Sequence, residues 1–252
     1  MNNTVEAIST WITKTVEAAG FSKVVIGLSG GVDSALSATL AVHALGRENV
    51  YPVLLPYKQM HMQAVLDALQ VAEFLHIPKD HVTEIDIADS VDATLTKMQD
   101  VDGIRRGNVM ARVRMIYLFD MAKKLRALVC GTENKTEHYL GYFTRFGDEA
   151  SDMEPIRSLY KTEVWEMARL LDVPQQIIEK APTAGLWEGQ TDENEFGFTY
   201  QDADMVLRCH FDEQLSFEQI IARKEVREEV IKKVLERVKQ NDFKHNLPYL
   251  YR

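Results

Sequence analysis

The chain has few of the residues that mark several large protein classes. Among its 252 residues only Cys130 and Cys209 are cysteines, which cannot build a disulfide framework and fit no CxxC metal or redox motif. No run approaches ~18 consecutive apolar residues, and residues 1–20 carry charges at helical spacing. We therefore predict no membrane span and no signal peptide, and we expect a reducing, cytoplasmic location.

Excess positive charge is also absent. Lysine and arginine number 29 against 38 aspartate and glutamate, a formal net charge of -9, which disfavours a nucleic-acid partner. None of the seven histidines shows metal-ligand spacing, so we expect no zinc. With 46% apolar and 27% charged residues the chain can bury a sizeable core, and we predict a single domain over residues 1–252.

In the first half of the chain, short β-branched runs alternate with helical patterns. The predicted strands are residues 23–28, 50–55, 82–87 and 127–130, and the predicted helices are residues 5–19, 34–45, 61–75, 90–98 and 108–125. This alternation predicts an α/β fold, an open parallel sheet with helices on both faces, similar to the Rossmann fold. Ligands of such sheets bind at the carboxyl ends of the strands.

The second half changes to helices joined by turns. We predict helices at residues 161–171, 200–208 and 218–239, which makes the C-terminal part helical. Between them, residues 181–197 contain glycines and acids without a clear period. A structureless connection of this length is unusual in a compact domain, so we predict a functional loop or lid there.

One loop carries a chemical signal. Residues 29–34 read Ser-Gly-Gly-Val-Asp-Ser and stand between the first predicted strand and a helix, where backbone N–H groups and the helix dipole attract anions. Gly30 and Gly31 allow close approach to phosphate, Ser29 and Ser34 add hydroxyl donors, and Asp33 can hold Mg²⁺. A tight strand-to-helix turn would explain the glycines alone. The lysine of a Walker A loop is missing, which disfavours γ-phosphoryl transfer.

The whole loop resembles the pyrophosphate-loop ATPases, which cleave ATP between its α- and β-phosphates. Further blocks in order extend the likeness: residues 107–115 opening a helix, 131–137 after a strand, 141–148 before Asp152, Lys161, and 182–193. Together these blocks resemble the ammonia-dependent NAD synthetases over nearly the whole chain. The resemblance implies a fold like that of the adenine-nucleotide alpha-hydrolases.

The resemblance also implies roles for individual residues. For ATP they are Gly27, Leu28, Ser29, Gly30, Gly31, Val32, Asp33, Ser34, Thr132, Lys161 and Thr183. The metal ligands for Mg²⁺ would be Asp33 and Glu137. Deamido-NAD would be bound by Arg112, Arg145, Asp152, Lys244 and His245. The catalytic residues would be Asp33, Lys161 and Asp152.

The implied reaction begins with attack of the nicotinate carboxylate of deamido-NAD on the α-phosphorus of ATP. An acyl-adenylate and Mg-pyrophosphate result, and ammonia then displaces AMP to give NAD. Free ammonia is favoured as nitrogen source because no block of the chain forms a glutaminase, although a separate glutaminase partner stays open. The family likeness further implies a homodimer, with the first helix as one candidate contact surface. Asp148 and Asp152 are candidates for the base that deprotonates ammonium.

Several alternatives stay open from the residues alone. Glu137 could be a solvated helix-start glutamate, Lys161 a surface charge, and one of Arg112 and Arg114 a surface charge. Arg145 replaces the lysine usual in the family, and the tail, residues 244–248, differs from the family's His-Lys-Arg order. The alternative functions are another pyrophosphate-loop amidotransferase, a tRNA-modifying thiolase, or a nucleotide sensor without turnover.

Overall fold

The structure, a computed structural model, describes residues 1–58, 62–183, 185, 189, 191–245 and 248–249. Its centre is a parallel sheet of four strands in the order β3-β2-β1-β4. The strands are β1 (Val24–Gly27), β2 (Val50–Leu54), β3 (Thr83–Glu84) and β4 (Leu128–Cys130). The four predicted strands and their parallel arrangement are confirmed.

Twelve α-helices are present in the described residues. They are α1 (Asn2–Ala18), α2 (Val32–Leu45), α3 (Met62–Phe74), α4 (Ala88–Leu95), α5 (Gly103–Leu125), α6 (Lys135–Leu140), α7 (Lys161–Leu170), α8 (Gln175–Glu179), α9 (Asp192–Phe196), α10 (Tyr200–Leu207), α11 (Phe217–Arg223) and α12 (Glu228–Asn241). A π-helical turn, Arg208–Asp212, extends α10. His61, where the third predicted helix begins, lies outside the described residues.

The two faces of the sheet belong to different parts of the core. Val24 and Ile26 of β1 are fully buried in a cluster with residues of α1, α2 and α7. Val25, the residue between them, is buried on the opposite face with residues of α4 and α5. Successive side chains of a strand point to opposite faces, and β1 is covered on both. The prediction of helices on both faces is confirmed.

The C-terminal helices form a third core cluster. Tyr160 and Tyr200 are almost completely buried there among apolar residues of α6, α10, α11 and α12. The predicted helix at residues 218–239 is wrong as one element, because Lys224 adopts a left-handed conformation with φ of 59° and ends α11. The prediction of a structureless connection at 181–197 is also wrong for Asp192–Phe196, which forms α9.

The strand order creates a crevice at one edge of the sheet. From β1 the chain crosses to β2 on one side, and β4 later pairs with β1 on the other, so the direction of winding reverses beside β1. The register pairs Gly27 with Val53 and Ile26 with Cys130, which brings the carboxyl ends of these strands level. A ligand site is expected at such a point. Within the described residues, no helix is both long and apolar enough to cross a membrane.

Candidate active site

A cavity of about 1190 Å³ opens at the carboxyl edge of the sheet. Its walls come from the segments that follow β1, β2 and β4, from α5, from residues 180–183 and from α12. We call it the main cavity. Its position is the one that the reversal of winding beside β1 predicts for a ligand.

The loop at residues 29–34 lines the floor of the main cavity and is braced by its own hydroxyl groups. Ser29 Oγ accepts a hydrogen bond from the N–H of Gly31 at 3.3 Å, and Ser34 Oγ donates to the carbonyl of Gly31 at 3.0 Å. The two hydroxyl oxygens also lie 3.0 Å apart, within hydrogen-bond distance. The hydroxyl groups that we predicted as phosphate donors therefore first fix the loop, and the backbone N–H groups in the first turn of α2 remain for an anion.

Gly30 is required by a close approach of the loop to α3. Its φ is +75°, and a Cβ added there would lie 2.5 Å from the carbonyl oxygen of Ala64 and 2.8 Å from Cβ of Asp67. Only glycine combines that conformation with that contact. In turn, Asp67 accepts hydrogen bonds from Gln63 at 2.8 Å and from Lys180 at 2.5 Å. The sequence did not indicate this support of the loop by α3.

Two carboxylates and one buried ammonium group meet beside the loop. Lys161 begins α7, and its side chain is only 2% exposed. Its Nζ contacts the carboxylate of Asp33 directly and lies 3.4 Å from Oε1 of Glu137. Asn134 donates to the other oxygen of Asp33 at 2.8 Å. We call Asp33, Glu137 and Lys161 the acid–lysine cluster. Lys161 is thus not the surface charge that the sequence left open.

The electrostatics of the acid–lysine cluster follow from burial and proximity. Burial, followed by the charge of Asp33, raises the pKa of the Glu137 carboxyl well above its usual range. Burial alone would lower the pKa of Lys161, but the charges of Asp33 and Glu137 outweigh it and raise that pKa. The ammonium group therefore stays charged, and the two carboxylates repel each other across it. A cation of higher charge would relieve this repulsion further.

The segment after β4 supports the cluster. A capping box fixes the start of α6, since Asn134 accepts from the N–H of Glu137 while Glu137 accepts from the N–H of Asn134. Thr132 lines the main cavity. At Gly131 a Cβ would lie 1.9 Å from Oε1 of Glu154, so a larger residue there would displace the carboxylate of Glu154. Burial raises the pKa of Glu154 to about 7.

A smaller cavity of about 200 Å³ adjoins the main cavity and shares Phe143, Thr144, Asn108 and Lys244 with it. We call it the basic groove, because three of its seven lining residues are Arg112, Arg145 and Lys244. Arg112 Nε donates to the carbonyl of Arg145 at 3.2 Å. Among the described residues, none of these three cations has a carboxylate within ion-pair distance.

Other predicted residues lie differently. Asp152 Oδ2 accepts from the backbone N–H of Val129 at 2.7 Å, and Asp152 is not among the residues that line the main cavity. His245 Nε2 lies 2.7 Å from the carbonyl oxygen of His138, in hydrogen-bond contact. Asp148 does line the main cavity. Desolvation by the surrounding protein raises the pKa of its carboxyl, because it disfavours the charged form. Of the two candidate bases, Asp148 is the one that faces the cavity.

The sequence is similar to a known protein family. The sequence model of the NAD synthase family matches residues 4–248. The chain belongs to this family. It is 42% identical to the NH(3)-dependent NAD(+) synthetase of Fusobacterium nucleatum, over 95% of this chain and 92% of that protein.

Two solved structures share the fold over their full length. The NMN synthetase of Francisella tularensis superimposes with a TM-score of 0.87 at 34% identity, covering 100% of this chain and 98% of that one. The NH3-dependent NAD synthetase of Campylobacter jejuni, solved with a nitrate ion, gives 0.84 at 30% identity, covering 100% and 99%. The predicted likeness to NAD synthetases, and with it the fold class, is confirmed.

Most residues for which the NAD synthase likeness predicted a role lie in the main cavity or the basic groove, and parts of the predicted lid and tail lie outside the described residues. The main cavity gathers Gly27, Leu28, Ser29, Gly31, Val32, Asp33, Ser34, Thr132, Glu137, Lys161, Thr183 and Lys244. Arg112 and Arg145 line the adjoining groove. Ala184, Leu186, Trp187, Glu188 and Gln190 of the predicted lid, and Asn246 and Leu247 of the tail, lie outside the described residues.

Two arginines that line the main cavity, Arg114 and Arg237, were not predicted as site residues from the sequence. Arg114 lines the cavity and donates from Nε to the carbonyl of Leu55 at 3.0 Å, and burial lowers its pKa to about 10. Arg237 of α12 also lines the cavity, although nothing in the sequence singled it out. The only sequence signal for Arg114 was its position two residues after Arg112, on a different face of the same predicted helix. Because the sequence does not fix the orientation of this helix, it cannot show whether Arg112 or Arg114 faces a ligand.

Proposed function

We propose that the chain catalyses ATP-dependent amidation of deamido-NAD with ammonia, giving NAD, AMP and pyrophosphate. The observation that carries the proposal is the acid–lysine cluster beside the 29–34 loop, in a chain that belongs to the NAD synthase family. The relative from Fusobacterium nucleatum is named for the same ammonia-dependent activity. Membership of this family also disfavours the tRNA thiolase and the sensor as alternatives.

In this proposal the 29–34 loop and Lys161 hold the phosphates of ATP. Backbone N–H groups at the start of α2 face the main cavity, and the charged ammonium group of Lys161 lies beside them. As the nicotinate carboxylate attacks the α-phosphorus, the bond to the pyrophosphate oxygen breaks and negative charge grows on that oxygen. Fixed positive charge at this point stabilises the transition state more than the ground state.

Asp33 and Glu137 fit a Mg²⁺ ion. Both carboxylates converge on one point, now held by the Lys161 ammonium group, and burial, followed by their mutual repulsion, raises the pKa of Glu137. Mg²⁺ is usually bound by one or two carboxylates together with substrate phosphates, which matches this pair. When bound, the ion would neutralise charge on the departing pyrophosphate. Among the described residues, no group of three or more potential metal-ligating side chains exists, so phosphate oxygens would have to complete the shell.

For the second step we propose Asp148 as the base. Its carboxylate lines the main cavity and accepts from the N–H of Thr144 at 3.0 Å. Ammonium gives a proton to Asp148, and the resulting ammonia attacks the acyl carbon. The bond from that carbon to the AMP oxygen breaks, AMP leaves with the electron pair, and the second proton lost from the nitrogen passes to the departing AMP. A raised pKa suits a base that must take a proton from ammonium. Asp152 remains the second candidate, although its carboxylate accepts from the N–H of Val129 and it is not among the residues that line the main cavity.

A second candidate substrate is the mononucleotide. The structural likeness to the Francisella tularensis NMN synthetase, TM-score 0.87, favours nicotinate mononucleotide as an acid that this chain could amidate to NMN. The chemistry of the carboxylate is the same in both substrates. In deamido-NAD an adenylate half is joined to the phosphate of the nicotinate ribose, and nicotinate mononucleotide lacks this half.

The homodimer is likewise a proposal, supported by the family likeness. The apolar face of α1 does not serve it, because Val5, Ile8, Ile12 and Val16 are buried in the core against α2. A cytoplasmic location and a closing movement of residues 181–197 also stay proposals. Protease protection of that segment by ATP, Mg²⁺ and deamido-NAD tests the closing movement, and unchanged cleavage would exclude it.

One assay tests the reaction and ranks the substrates. Purified protein is given ATP, Mg²⁺, ammonium and either deamido-NAD or nicotinate mononucleotide, and the products are separated. We expect the amide, AMP and pyrophosphate in equal amounts. Release of ADP would contradict the mechanism, and ATP binding without turnover on either acid would favour a sensor. The ratio of kcat/KM for the two acids decides between NAD and NMN synthesis.

A further inference from the structure

Arg237 lines the main cavity, and the proposed reaction gives it no role so far. It lies near the end of α12, and its side chain is 25% exposed. The guanidinium group lies 4.5 Å from the centre of the Phe196 ring and 5.4 Å from that of Tyr142. The two aromatic rings hold the group through cation–π contacts and limit its rotation.

The polar edge of this guanidinium group is poorly paired. Its nearest ion-pair contact joins Nη2 to Oε1 of Glu195 at 3.9 Å, beyond hydrogen-bond distance. Its Nε is buried and has no hydrogen-bond partner among the described residues. A buried N–H group that lacks a hydrogen bond is unfavourable unless something else supplies an acceptor. Because Arg237 lines the cavity, a ligand in the cavity can supply one.

The surroundings of Arg237 indicate a ligand of negative charge. Lys244 lines the same cavity, and its ammonium group is fixed by donation to the carbonyls of Gly141 at 2.5 Å and Phe143 at 3.0 Å. Burial, followed by the charge of Arg237, lowers the pKa of Lys244. Arg145 repels Lys244 as well. Arg237 and Lys244 thus repel each other in the main cavity, which Glu195 also lines, and Arg145 lines the adjoining basic groove.

We infer that Arg237, together with Lys244, binds the phosphate group attached to the nicotinate ribose of the acid substrate. A guanidinium group offers two parallel N–H donors that match phosphate oxygens, and the aromatic rings already hold it in place. The inference rests on the proposed function. Both candidate acids carry this phosphate, so it applies to deamido-NAD and to nicotinate mononucleotide alike. ATP, the other source of phosphate, is assigned to the 29–34 loop.

The test compares a substrate that has the phosphate with one that lacks it. Nicotinate mononucleotide and nicotinate riboside share the reacting carboxylate, and only the first can contact Arg237 through phosphate. For Arg237→Gln we expect kcat/KM for the mononucleotide to fall about 10- to 100-fold, the effect of losing a hydrogen bond between charged groups. Activity on the riboside and the KM for ATP should stay within about twofold. The preference for the mononucleotide over the riboside should fall by the same factor.

Two further variants control the experiment. Arg227→Gln removes the same charge at the exposed start of α12, where the side chain is 77% exposed, and should leave both substrates unchanged. Arg237→Lys keeps the charge but not the paired donors, and should recover part of the lost preference.

Equal losses on mononucleotide and riboside would overturn the inference, because they would indicate a merely structural role. An increase of the KM for ATP alone would assign Arg237 to the ATP phosphates and overturn it too. Failure of the wild-type protein to turn over either acid would contradict the proposed function instead. In that case, equal binding of the mononucleotide by wild type and Arg237→Gln in calorimetry would still overturn the inference.

Discussion

The substitution Lys161→Met separates what the acid–lysine cluster does for stability from what it does for the reaction. Methionine keeps most of the volume of the buried side chain and removes its charge. Asp33 and Glu137, whose side chains are 19% and 17% exposed, then face each other without the ammonium group between them. The variant therefore converts a compensated buried charge cluster into an uncompensated one.

The size of the effect follows from the geometry. At 3.4 Å and an effective dielectric constant of ~20, the attraction between Lys161 and Glu137 is ~5 kcal/mol, and the shorter contact with Asp33 adds to it. Desolvation of the ammonium group offsets much of this attraction. Removing one partner of a buried ion pair usually costs about 3–5 kcal/mol. Because both carboxylates keep some contact with water, we expect a loss of unfolding free energy of about 3 kcal/mol near pH 8.

The loss should depend on pH in a defined direction. The folded-state pKa of Glu137 is already raised above its ordinary value of 4.5, and loss of the ammonium group raises it further. A group whose folded-state pKa is raised stabilises the fold below its unfolded pKa, and this contribution disappears as pH rises through the folded pKa. The deficit of Lys161→Met relative to wild type should therefore be smaller at about pH 5 than at about pH 8.

Urea denaturation of both proteins at the two pH values measures these differences. Lys124→Met, at an exposed position in the last turn of α5, is the matched control and should change stability by no more than about 0.5 kcal/mol. Turnover of Lys161→Met should fall at least ~100-fold, because the charge on the leaving pyrophosphate is no longer compensated. A deficit below about 1 kcal/mol near pH 8, or one that grows on acidification, would refute the electrostatic account.

Three further predictions concern the loops and the base. Gly30→Ala should lower the unfolding free energy by more than about 3 kcal/mol in urea melts and abolish ATP binding in equilibrium dialysis, because its Cβ would clash with the Ala64 carbonyl; ATP binding within a few-fold of wild type would contradict it. Gly131→Ala should displace Glu154 and cost about 1–3 kcal/mol in the same melts, and an unchanged midpoint would show that Glu154 moves freely. Asp148→Asn should retain ATP–pyrophosphate exchange while losing ~100-fold or more in ammonium-dependent kcat/KM. Wild-type amidation should fall as pH drops towards the raised pKa of Asp148, and the variant should lack this decrease; loss of exchange as well would remove Asp148 from the amination step.

The fold could be predicted from the sequence where local pattern and tertiary packing agree. β1 is a short β-branched run buried on both faces, and helices on both faces of a parallel sheet with right-handed connections require the winding to reverse. The break at Lys224 could not be predicted, because neither glycine nor proline marks it. Likewise α9 is held by tertiary contacts: Asp192 accepts from the hydroxyl groups of Tyr142 and Tyr200, both at 2.9 Å.

The residues of the candidate site could likewise be predicted only where a local sequence pattern fixes their position. Residues 29–34 and Glu137 were predictable, because their positions depend on strand ends and helix starts that the sequence marks. Arg237 was not, since its place in the cavity depends on how α12 packs against α6 and α10, which no local pattern records. The role of Asp152 towards a ligand stays a prediction; the sequence did not indicate that its carboxylate accepts from the backbone N–H of Val129 in β4.

Two groups of charged side chains in the main cavity attract different ligands. Asp33 and Glu137 repel each other around Lys161, so this group attracts a cation, and with it the phosphates of ATP. Lys244 and Arg237 repel each other, so this pair attracts an anion. In the proposed function, the acid substrate places its phosphate at the second group and turns its reacting carboxylate towards ATP. Two groups of opposite charge thus orient the acid, which a uniformly charged cavity could not do.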